Sequence, residues 1–65
     1  MADRESMIAR KQEVRRKIEA IQRQLEHERA KATPARRHIG QLERTLEQLQ
    51  AEEYNLRVAI DQAHR

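Results

Sequence analysis

Sixty-five residues with 38% charged side chains, one Gly, one Pro, one Tyr and no Cys, Phe or Trp make one small domain at most, with the composition of a coiled coil or long helix. The missing cysteines exclude disulfide staples, thiolate catalysis and Cys-based zinc sites, and no stretch approaches the roughly 18 apolar residues of a membrane span. The net charge of +3 is uneven: residues 1–33 carry nine Lys/Arg against six Asp/Glu, residues 34–65 five against five.

The chain opens on Met1-Ala2-Asp3-Arg4-Glu5, with no apolar run behind the charges. No signal peptide is therefore expected, and the expected location is the cytoplasm. Met7, Val14, Ile18, Ile21 and Leu25 then recur at spacings of 7, 4, 3 and 4, the seam of an amphipathic helix predicted over about residues 3–31. Ala30-Lys31-Ala32 ends it, with Arg29 and Lys31 placed to favour the negative end of its dipole.

Thr33-Pro34 interrupts the pattern at its midpoint. The heptads run in phase through residue 34, which would also suit one helix about 97 Å long at 1.5 Å per residue. A proline inside a helix costs about 3 kcal/mol and steers its predecessor away from helical geometry. The dipeptide instead reads as a start signal, Thr33 as N-cap and Pro34 as first helical residue. A turn at about 32–33 and a second helix over about 34–63 follow.

In that second helix Ile39, Leu42, Leu46, Leu49, Leu56 and Ile60 recur at 3, 4, 3, 7 and 4. The heptad a positions are then 4, 11, 18, 25, 39, 46, 53 and 60, and the d positions 7, 14, 21, 28, 42, 49, 56 and 63. Four are charged: Arg4, Lys11, Glu28 and Glu53. Folding about the midpoint pairs a with d so that partner numbers share one sum: Leu25 with Leu42, Ile21 with Leu46, Ile18 with Leu49, Lys11 with Leu56, Met7 with Ile60. Lys11 and Glu53 become diagonal neighbours, a pair suited to fixing register. Gly40 sits at a b position, either as a tolerated surface glycine or as a point of close approach by another helix.

The predicted fold is all-α: an antiparallel two-helix hairpin of coiled-coil type. A core in so short a chain supplies only about 3–5 kcal/mol, so completion into a helical bundle by self-association, a dimer first, or by a helical protein partner is expected. The surface for this is the open end, where Ile8, Tyr54 and Val58 widen the apolar stripe beside seam residues Met7 and Ile60. A possible contact for an anionic partner is formed by Arg15 and Arg16 on helix one and by Arg29, Lys31, Arg36 and Arg37 around the turn. No aromatic residue is interleaved with these cations, so base stacking is excluded and nucleic acid is the less favoured partner. Glu13–Lys17, Glu19–Arg23 and Glu53–Arg57 are favourable i, i+4 pairs of ordinary exposed helices.

His27, His38 and His64 lack the further ligands of a metal site, and no cofactor motif is present. Ser6 and Thr45 have no histidine at helical spacing, and a hairpin offers no enclosed cavity in which to retune a catalytic group. No enzymatic activity is expected. In size and topology the whole chain resembles the small helical-hairpin co-chaperones of type III secretion systems, and also the plasmid copy-number regulators that dimerise into four-helix bundles and bind RNA hairpins. The first likeness implies a chaperone-like adaptor; the second, a basic dimeric regulator of nucleic acid. Neither rests on a motif, so neither assigns a residue.

Overall fold

Asp3 starts the first helix. Its backbone is extended (φ −87°, ψ 174°) and its carboxylate accepts from the Ser6 N–H at 2.7 Å, satisfying one of the helix's orphan donors. That bond holds the Asp3 carboxyl below its usual pKa. In the computed structural model, which describes residues 3–63, helix α1 spans Arg4–Arg29 and helix α2 spans Arg36–Ala63. The two pack along their lengths as a hairpin 51 Å long and 16 × 14 Å across. His64 lies outside the described residues. No helix among them is long and apolar enough to cross a membrane.

The heptad assignment predicts the burial pattern. Every a and d residue from Met7 to Ile60 is buried or half-buried, and off the seam only Ile8, Gly40, Glu52 and Ala59 are not fully exposed. Coverage is uneven. Val14 is 0% exposed, and Ile18, Leu25 and Glu28 on α1 are buried, whereas on α2 only Leu42 is. Leu46, Leu49, Leu56 and Ile60 remain half-buried, so two helices alone leave these α2 residues partly uncovered.

Among the described residues two ion pairs cross between the helices: Arg10–Glu52 at 2.7 Å and Arg29–Glu43 at 2.9 Å. Their positions deviate from the constant partner sum by equal and opposite amounts, so they bracket the predicted register. A slip of one heptad, about 10 Å along the axis, would pull one of them apart. Both are exposed and set register more than stability. The predicted Lys11–Glu53 diagonal does not form. Glu53 accepts instead from Arg57 at 3.3 Å, because a neighbour one turn away on the same helix is ordered at less entropic cost.

The turn is wider than predicted. Ala30 N–H donates to the Glu26 carbonyl and Lys31 N–H to the Glu28 carbonyl at 3.1 and 3.3 Å, which closes α1 at Arg29 rather than 31. Thr33 is not the N-cap. Ala35 supplies the first helical carbonyl, accepting from Ile39 N–H at 2.9 Å, and α2 begins two residues beyond Pro34. The bend that closes α1 leaves Thr33 in the connection, before the chain has turned to meet α1 again.

Candidate interaction face and turn latch

Flanking the a positions on one side of the hairpin lie the e and b positions of both helices. Near the turn this side is an open groove of about 550 Å³. Its floor is Leu25 and Leu46, and its walls carry Gln22, Glu26 and Arg29 from α1 and Glu43, Glu47 and Gln50 from α2. The groove exists because Leu46 is only half-covered and because long polar side chains stand on either side of it. Three carboxylates against one guanidinium make it acidic.

Tyr54 continues the same side toward the open end, one heptad beyond Glu47. It is 62% exposed, and Val58, one turn further, is 37% exposed. Ile8 is half-buried at an e position of α1, and Met7 and Ile60 are half-buried in the seam. The five predicted partner-binding residues therefore lie at one end of the hairpin, and the side bearing Tyr54 carries its main exposed apolar surface.

The predicted cations divide into two kinds. Arg29 is engaged by Glu43 and Lys31 by Glu28. Arg15, Arg16, Arg36 and Arg37 are exposed, and among the described residues none pairs with a carboxylate. Glu13–Lys17 forms as predicted at 3.6 Å, and Glu19–Arg23 does not. The Thr45 hydroxyl donates to the Gln41 carbonyl at 3.0 Å.

Glu28, a charged seam residue in the heptad reading, is 8% exposed and lies at the turn end of α1. Lys31 Nζ donates to it at 2.8 Å. That bond holds its carboxyl below the usual pKa against the opposing effect of burial, helped by the charge of Lys31, by His38 and by the Ala35 N–H. Helix α2 has no acidic residue in its first turn and begins with Arg36-Arg37, an arrangement its own dipole disfavours. Glu28 supplies the missing negative charge from α1.

Among the described residues no group of three or more His, Cys, Asp or Glu is placed to hold a metal ion. Comparison with protein-family models, curated proteins and solved structures gives no match for this chain.

Proposed function

We propose that the chain is a non-enzymatic helical-hairpin interaction module of the cytoplasm, a chaperone-like adaptor in format. It completes its core through the Tyr54 side, by self-association or by docking on a helical protein partner. One observation carries the reading: Leu46 stays half-buried on the floor of an open groove that continues into a 62% exposed tyrosine. Apolar surface of this kind marks association sites. The test is the double substitution Tyr54→Lys, Val58→Glu, with sedimentation over a range of concentrations. Wild type should associate and the variant should shift toward single-hairpin mass with its helicity retained. Equal masses and equal capture of any partner by the two proteins would defeat the reading.

A second reading, a basic dimeric four-helix-bundle regulator that binds nucleic acid, draws on the four arginines without carboxylate partners. It requires retention on nucleic acid that falls steeply with salt and weakens on Arg15→Ala, Arg16→Ala. Salt-insensitive behaviour excludes it.

A further inference from the structure

We propose that the occupant of the groove side is a second copy of this chain, packed face to face with its turn at the opposite end. The proposal rests on the association reading above and specifies its partner and geometry.

Area is the first consideration. The broad face of the hairpin measures 51 × 16 Å, about 800 Å² in projection, close to the roughly 800 Å² per partner of a standard stable interface. A second hairpin laid along the full length meets that size, and a partial overlap falls short of it. Full overlap places the two-fold axis at mid-hairpin, near the Ile18–Leu49 layer. Tyr54 lies about 7 Å from that layer toward the open end at 1.5 Å per residue, and the groove residues lie on average about as far toward the turn. Each Tyr54 then falls over the groove of the other copy, and the half-buried a residues of this side, Leu46 and Ile60, face α2 of the second copy.

Charge decides the orientation. Two copies can stack on this face with antiparallel neighbours in only two ways. With both turns at one end, α1 lies on α2 of the second copy. Glu26 then faces Glu43, Glu19 faces Glu47, Glu5 faces Asp61 and Arg29 faces Arg36, all of like sign. With the turns at opposite ends, α1 lies on α1 and α2 on α2. Glu5 then falls beside Arg29 of the second copy and Arg57 beside its Glu43, while Lys11 meets Glu26 and Arg15 meets Glu19; Glu19 also approaches its own copy across the axis, each flanked by Arg15 of the other copy. The Arg29–Glu43 ion pair already present in each chain thereby becomes the centre of an alternating four-residue network at each end. Like-charge juxtaposition is an effective means of rejecting the wrong mode.

The chain has no cysteine, and Thr33 makes no capping bond in the turn, so Thr33→Cys carries a spin label without loss of contacts. In a species shown by sedimentation to have the mass of two hairpins, the label-to-label distance should be about 50 Å, the length of the hairpin. A distance under about 20 Å, set by helix layers 8–10 Å apart, would overturn the opposed arrangement while leaving self-association intact. A wild-type chain of single-hairpin mass at every concentration would overturn the second copy as occupant. Docking on another helical protein would then be judged separately, by whether the Tyr54/Val58 variant loses partner capture. Charge exchange gives an independent check. Arg57→Glu should weaken self-association about tenfold, or ~1.4 kcal/mol, and Arg57→Glu with Glu43→Arg should restore it. Failure of the double variant to recover would overturn the pairing.

Discussion

Leu25 and Leu46 form the floor of the same groove, yet truncating them should have unequal effects. Leu25 is 3% exposed, so Leu25→Ala loses the full transfer free energy of the side chain and leaves a cavity, about 2–5 kcal/mol together. Leu46 is half-buried and already borders open space. Its truncation forfeits only part of the ~1.5–3 kcal/mol of leucine burial and encloses no void, so about 1–1.5 kcal/mol is expected in the isolated hairpin. The larger loss rivals the reserve of so small a core. Unfolding should therefore be followed by circular dichroism in a stabilising osmolyte such as trimethylamine oxide. In dilute solution the cost of Leu46→Ala should stay well below that of Leu25→Ala. At concentrations that favour the dimer it should climb toward it, because the second copy covers the groove and stability becomes linked to association. Equal costs in the dilute hairpin would refute the uneven coverage of the two seams, and a cost at Leu46 no greater than at exposed Gln48 would refute the register itself.

Gly40→Ala should raise hairpin stability by about 1 kcal/mol, because a Cβ there meets only the end of the Arg44 side chain at 3.9 Å; a lower melting temperature for the isolated hairpin would contradict this. Thr33→Ala should change stability far less than the ~1 kcal/mol typical of losing an N-cap, whereas Asp3→Ala should lower the melting temperature measurably; a large effect at Thr33 would restore it as the cap. Glu28 titrates below its usual value in the folded chain. Its contribution is therefore fully present above the ordinary carboxylate range and is lost as pH falls through the depressed value. Glu28→Gln should flatten the melting-temperature profile between pH 6 and about pH 3, and an unchanged profile would exclude the turn latch as a source of acid sensitivity.

The hairpin and its register are legible in the sequence because each rests on a strong local rule. Pro34 cannot continue a helix, and the a and d spacings place every seam residue from Met7 to Ile60 on the covered side. How deeply a residue is covered is another matter. The spacing gives Leu25 and Leu46 the same status, but only the geometry of the pair shows Leu25 covered and Leu46 left half-open. For the same reason the sequence points to the apolar open end at Tyr54 and misses the acidic groove that continues it. Glu26, Glu43 and Glu47 read as an ordinary solvated face until both helices are placed side by side. The turn is wider than the sequence suggests because Thr33-Pro34 is a sound start signal in isolation, overridden by the bonds that close α1 at Ala30 and Lys31. Asp3 was available as a cap, being a good N-cap residue just ahead of the first helical turn.

The borrowed charge at the start of α2 bears on the order in which the chain acquires its shape. Helix α1 is self-sufficient: Asp3 and Glu5 serve its beginning, and His27 and Arg29 its end. Helix α2 opens on two arginines and relies on Glu28, a residue placed only after the last turn of α1 has formed. A nascent chain emerging from its N-terminus can therefore wind α1 first, and α2 then propagates from the turn outward once that carboxylate is in position. A peptide of residues 3–31 should accordingly be more helical in isolation than one of residues 34–63, and Glu28→Gln should slow the formation of the hairpin rather than only hasten its loss.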